Sequence, residues 1–270
     1  NGYTRDNAPS RSHLLTCLDK ILSIMEGQEF LPDQEIKEAL DSYMDTVKSH
    51  VDVPVSEYPD LLTPAPYHQT EHYIGRAAIT ETILGHLLTG ESCYLHGIGG
   101  IGKTEIAKSV LQKSLDMPSA QSGITHIMWV DYTEGDFAPS LVRSLKLESS
   151  THNLDDAFQK AIHLINQYRD KLLLFVDNVE EADDEKLLEL TQYLDCRVLA
   201  TSRCKGFAGL TEITVPPLSP DECMELFYAY YHGQKDDITL YKIVELAGGH
   251  TVTVQRLAKI AGSEELLLHE

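Results

Sequence analysis

The densest chemistry in this chain lies where a run of glycines meets a lysine and a threonine. Gly97, Ile98, Gly99, Gly100, Ile101 and Gly102 lead directly into Lys103, Thr104 and Glu105. The spacing Gly97-x-x-x-x-Gly102-Lys103-Thr104 is that of a loop built to cradle phosphates. Glycines let successive backbone N–H groups converge on a di- or triphosphate without a Cβ in the way. A helix opening at Lys103 aims its positive end at the same anion. In such a loop the lysine supplies a point charge for the β- and γ-phosphates, and the threonine hydroxyl supplies a ligand for Mg²⁺. No packed core needs this composition.

Three further groups extend that chemistry. Asp177 ends the apolar run Leu172–Val176, the place in an open α/β sheet where ligands bind, and its carboxylate is suited to the Mg²⁺ shell. The next residue is Asn178, which cannot take a proton from an attacking water, so the site reads as a slow hydrolase; Glu180 is an alternative acid, equally suited to the site or to a solvated position. Thr201, Ser202 and Arg203 end another run, and a guanidinium there has the fork geometry for a γ-phosphate. Lys103, Asp177 and Arg203 are therefore the candidate catalytic groups, and Thr104 and Asp177 the candidate metal ligands. Arg76 and Lys108 are nearby cations, with Arg76 equally suited to an ion pair or to the site.

These residues need a scaffold that brings strand ends together. Apolar runs at 92–96, 124–132, 171–178, 196–202 and 211–217 alternate with helical patterns such as Leu154, Phe158, Ile162 and Ile165, with Asn153 as N-cap. Strands apolar on both faces, alternating with helices, predict a five-stranded parallel sheet in an α/β fold. After Pro217 the pattern is helical, with Met224 and Phe227, Ile243–Leu246, and Val254–Ile260, which predicts a small all-α domain. Upstream, Leu14, Leu18, Ile21 and Met25, then Ile36, Leu40, Tyr43 and Val47, read as a helical hairpin; Pro54, Pro59, Pro64 and Pro66 mark a linker. The expected division is a hairpin and linker over 1–70, a nucleotide-binding domain over 71–217 and a helical domain over 218–270.

A net charge of −20 argues against a broad phosphate-tracking surface, so nucleic acid is not an expected partner. Five cysteines with no metal-binding spacing read as free thiols in a reducing compartment, which points to the cytoplasm. No apolar run is long enough to span a membrane, and no signal peptide is visible. The chain begins with Asn1 rather than Met, which reads as a piece of a longer protein.

Taken in order, these motifs resemble the NB-ARC proteins and related signal-transducing ATPases with numerous domains, over roughly residues 70–262. "YIGR" (73–76) resembles the family's entry motif, "GIGGIGKT" its phosphate loop, "LLLFVDNVE" its Mg²⁺ strand and "LATSR" its sensor. "VPPLSPDECMELF" (215–227) resembles the start of its helical domain, and "LAGGHTVTVQRLAK" (246–259) the segment that closes over the base, in a form closer to bacterial members. The resemblance implies ADP or ATP with Mg²⁺ as ligands. It also implies contacts to the nucleotide from Tyr73, Ile74, Gly75 and Arg76, and from Pro217, Leu218 and Thr251. Two positions depart from the pattern: Ala77 stands where an acid is common, and Thr251 where the family's proline touches the nucleotide. A winged-helix domain, ligand-sensing repeats and an upstream effector are implied outside this chain, with self-association in the ATP state.

The resulting expectation is an adenine-nucleotide switch in a signalling or defence regulator, with slow Mg²⁺-dependent hydrolysis. The alternative is a motor-type or nucleic-acid-dependent ATPase. A kinase is disfavoured because Arg256 is the only arginine between Phe207 and Glu270, too few for a lid.

Overall fold

The computed structural model describes residues 56–66, 72–133, 135–148, 153–193, 195–232 and 237–263. The expected N-terminal hairpin lies outside them.

Six strands form one parallel sheet: β1 (Asp60–Leu61), β2 (Cys93–His96), β3 (His126–Asp131), β4 (Leu172–Val179), β5 (Arg197–Ser202) and β6 (Thr211–Thr214). Their order is β1-β3-β4-β5-β2-β6. Five were expected. The sixth, β1, comes from the proline-rich stretch read as linker. Pro59 has no N–H to give a ladder and therefore suits the start of an edge strand. The Asp60 and Leu62 amides donate to Thr125 and Ile127, each at 2.9 Å. The buried Thr63 hydroxyl then exchanges hydrogen bonds with the Trp129 backbone, at 2.8 Å to its carbonyl and 2.7 Å from its amide.

Between the strands run α1 (Ala77–Leu88), α2 (Lys103–Leu115), the short α3 (Ser119–Ser122), α4 (Phe137–Ser144), α5 (Leu154–Tyr168) and α6 (Glu185–Tyr193). The continuous apolar run of β4 is explained by its two buried faces. Leu172, Leu174 and Val176 pack with residues of α4, α5 and α6, whereas Leu173 and Phe175 pack with residues of α1 and α2. Trp129 of β3 stacks on Phe175 with centroids 5.5 Å apart. Asn153 caps α5 as its position predicts, accepting from the Asp155 amide.

Three helices follow the sheet: α7 (Pro220–Tyr230), α8 (Asp237–Ala247) and α9 (Thr251–Ser263). Ser219 and Glu222 form a reciprocal capping box at the start of α7, with Pro220 at the first helical position. Leu226, Phe227, Leu240, Val244, Val254 and Ala258 give these helices a cluster of their own. The chain passes from α8 to α9 through Gly248 and Gly249, with φ of 59° and 75°. A Cβ on Gly249 would stand 2.4 Å from the Leu218 carbonyl oxygen and 2.6 Å from Pro217 Cβ, so this close approach requires glycine.

Cys93, Cys196, Cys204 and Cys223 are free thiols, and burial pushes the Cys93 and Cys196 thiols up to about 12, which keeps them protonated. Among the described residues no helix is long and apolar enough to cross a membrane.

Candidate functional site

The carboxyl ends of β2, β4 and β5 meet at one end of the sheet. The loop Gly97–Gly102 leaves β2 there and turns into α2 through Gly102, whose φ of 105° is left-handed and strained for any other residue. Gly100 is left-handed as well, at 78°. The Lys103 ammonium curls back over the loop and donates to the carbonyls of Gly97 at 2.7 Å and Ile98 at 3.0 Å. Burial lowers its pKa, Arg203 adds to that, and Asp177 opposes it.

Asp177 lies two residues inside the end of β4, where the ladder to β5 shifts register between Val176 and Val179. It is a hub. Its carboxylate accepts from Thr104 Oγ1 at 2.9 and 3.1 Å and from Thr201 Oγ1 at 2.6 Å. Burial raises its pKa; the two threonine hydroxyls and Lys108 oppose the rise, and Asp131 adds to it. Asp131 is the register partner of Asp177 on β3 and accepts from the Trp129 indole N–H at 2.7 Å. Asn178 follows with φ of 64°, a left-handed conformation that asparagine tolerates better than most residues, and its amide donates to Thr201 Oγ1 at 2.8 Å.

Arg203 leaves the tip of β5 and lies over the loop. A Cβ on Gly99 would come within 3.2 Å of its guanidinium carbon, so the glycine lets the guanidinium lie flat against the backbone. His96 Nε2 donates to the Arg203 carbonyl at 3.1 Å and ties the two strand tips together.

Arg76, which the sequence left between an ion pair and the site, is buried at the base of the loop. Its guanidinium donates to the carbonyls of Pro216 at 2.7 Å and Ile101 at 3.1 Å, and to Thr251 Oγ1 at 3.4 Å. Burial lowers its pKa, and Glu222 opposes the shift.

These groups surround a cleft of about 260 Å³. Tyr73, Ile74, Arg76, Gly99, Gly100, Gly102, Lys103, Thr104, Glu105, Arg203 and Thr251 all line it, and Asp177 stands directly behind Thr104. Gly97, Ile98 and Ile101 shape the loop from outside the lining, and Ile101 is buried in the core. Pro217 and Leu218 are not in the lining either; they brace Gly249, whose carbonyl accepts from the Leu218 amide at 2.9 Å. Gly75 lies beside Glu222, and Glu180 is outside the lining. The sequence did not single out His72, Leu226, Tyr230, Val252 or Gln255, which complete the opposite wall. Tyr230 meets the His72 ring edge-on at 4.9 Å. Leu226 and Tyr230 also pack against the core of the helices after the sheet, a position that reads as packing.

Fold and loop together define an α/β P-loop NTPase. Among similar solved structures are the Aeropyrum pernix ORC1 protein in complex with DNA and Drosophila ORC bound to DNA. The first has a TM-score of 0.56 and 16% identity, over 76% of this chain and 64% of that one. The second has a TM-score of 0.54 and 16% identity, over 76% and 60%. A signal-transduction ATPase with numerous domains and a tetratricopeptide repeat sensor, from Pyrococcus horikoshii, aligns at a TM-score of 0.48 and 19% identity, over 70% of this chain and 31% of that one. The chain thus spans less than two thirds of each. No curated protein sequence matches it. The NB-ARC domain matches residues 76–237, and the chain belongs to that family.

Proposed function

We propose that this chain is the nucleotide-binding core of a switch that holds ADP or ATP between the phosphate loop and the helices α7 and α9. The observation that carries the reading is the make-up of the cleft. One wall is the loop with Lys103, Thr104 and Arg203, and the other is Leu226, Tyr230, Val252 and Gln255 from the helices after the sheet. The phosphates fit the first wall. The glycines at 99, 100 and 102 leave it open, and among the described residues the N–H groups of Gly99 and Gly100 enter no backbone hydrogen bond. The half-buried Tyr73, Ile74 and Tyr230 and the buried Leu226 offer rings and aliphatic groups that suit the flat apolar faces of adenine.

Mg²⁺ fits the pair Thr104 and Asp177, a hydroxyl and a carboxylate held together, both hard oxygen donors. When bound, the ion neutralises phosphate charge. In this reading Arg203 senses the γ-phosphate, and Asn178 holds hydrolysis slow because it cannot accept a proton. ADP keeps the helices seated, and exchange for ATP biases the core towards self-association and effector release, by no more than the difference in affinity for the two states. The parent would be a multidomain signalling or defence regulator, and residues 218–270 its helical domain. Denaturing the purified protein should release a stoichiometric amount of adenine nucleotide, chiefly ADP. A preparation that carries none and binds none would overturn the reading.

A second reading is a DNA-dependent ATPase, favoured by the origin-recognition chains that bind DNA. The −20 charge weighs against it. A salt-sensitive gel shift with duplex DNA would support it.

A further inference from the structure

A phosphate loop works only if its carbonyls face away from the anion, because each peptide turned the wrong way presents an acceptor where a donor is needed. In this chain every carbonyl of the loop is held. Gly97 and Ile98 are taken by Lys103, and Gly102 by the Ile106 amide at 3.0 Å inside α2. The three between them are taken largely from 150 residues away. The Gly99 carbonyl accepts from His250 Nε2 at 2.6 Å, and the Gly100 carbonyl from the Val252 amide at 3.2 Å. The Ile101 carbonyl accepts from Thr251 Oγ1 at 3.0 Å, beside Arg76. Three consecutive residues thus hold three consecutive carbonyls.

His250 is itself fixed. A carbonyl can only accept, so Nε2 carries the proton, and the Thr253 amide, which can only donate, reaches Nδ1 at 3.3 Å. The Thr253 hydroxyl lies 2.7 Å from the same Nδ1. These partners select the neutral Nε2–H tautomer. The ring also sits against Gly100, where a Cβ would stand 2.9 Å from its Cε1.

We infer that His250 is a positioning residue for phosphate binding, holding the Gly99 peptide so that the loop amides face the nucleotide, and that it couples the occupied loop to the seating of α9. The inference rests on the nucleotide-binding reading. It makes α9 a part of the phosphate site without touching the phosphates, and the coupling acts in both directions.

The test uses the whole chain, with affinities for ADP, ATP and adenosine measured by calorimetry or competition. His250→Ala should weaken ADP and ATP about tenfold, the scale of one well-placed hydrogen bond that orders a binding loop, while leaving adenosine within about twofold. His250→Gln, whose amide offers a donor at similar reach, should recover most of the loss. ADP should also slow hydrogen exchange of the Val252 amide in the wild-type chain and do so less in His250→Ala. Equal loss of adenosine and ADP, or no rescue by Gln in a folded protein, would mark His250 as a packing residue and overturn the inference. Wild-type ADP affinity in His250→Ala would overturn it while leaving nucleotide binding intact. A wild-type chain that binds no nucleotide would remove the reading beneath it.

Discussion

Thr104 Oγ1 donates to Asp177 Oδ1 at 2.9 Å, joining the first turn of α2 to the tip of β4 across 73 residues of chain. The bond holds a half-buried carboxylate whose pKa is raised chiefly by its loss of solvent. A carboxylate with a raised folded-state pKa costs stability above its unfolded pKa, and the cost fades as pH falls through the folded value. Mg²⁺ would offset it at neutral pH.

Asp177→Asn should therefore leave the unliganded protein as stable as wild type at pH 7, or more so, and abolish the stabilisation by Mg²⁺ with nucleotide. Thermal melts with and without MgCl₂, from pH 7 down to the ordinary aspartate pKa of about 4, check this. A stability gain for Asn at pH 7 that persists unchanged down to that pH would contradict the assigned cause.

Lys103→Ala removes the ammonium that crowns the loop. The fold should survive, because Lys103 makes its bonds to two carbonyls at the surface of the loop. Affinity for ADP and ATP should fall on the order of 10- to 100-fold, the scale of a charge-assisted hydrogen bond or two. Calorimetric titration reads the loss, and circular dichroism reads the fold.

Arg203→Ala separates the two nucleotides. A sensor for the γ-phosphate should lose ATP affinity about tenfold and ADP affinity far less. Equal losses would reassign Arg203 to general electrostatics.

Asn178→Asp restores a proton acceptor at a position whose left-handed backbone aspartate also tolerates. Phosphate release should rise about 100-fold if proton transfer limits turnover, the low end of general-base effects of about 10²–10⁴. An unchanged rate would place the limit elsewhere, in product release or geometry.

Gly249→Ala would drive a methyl group into the Leu218 carbonyl from a left-handed backbone. A loss of about 2 kcal/mol or more is expected, from strain and displacement of the Leu218–Gly249 contact. Denaturant melts measure it.

The scaffold was largely readable in the sequence because its signals are local. A strand buried on both faces is a continuous apolar run, and β2 to β5 came from such runs; β6, an exposed edge strand, stops at Thr214 rather than 217. The loop declared itself through glycines that nothing else requires. Strand β1 did not, because two residues beside prolines hold no period. Arg76 was undecided because burial among the carbonyls of Pro216 and Ile101 depends on contacts 140 and 25 residues away. His250 lies in the segment 246–259 that resembles the family's closing motif, but its own role gave no signal, since a single histidine between a glycine pair and a helix has no pattern of its own. Leu226 and Tyr230 fall in the helical run after Pro217 but were not singled out there, because packing and ligand walls use the same residue types.

The stacked Trp129 carries a practical corollary. It is the only tryptophan in the chain, and its indole N–H ends on Asp131, the register partner of Asp177. A cation arriving at Asp177 changes the field one strand away from a lone fluorophore. The chain therefore contains its own optical probe: a change in intensity without a spectral shift would report a cation at Asp177, whereas a red shift would report exposure of the buried indole on unfolding.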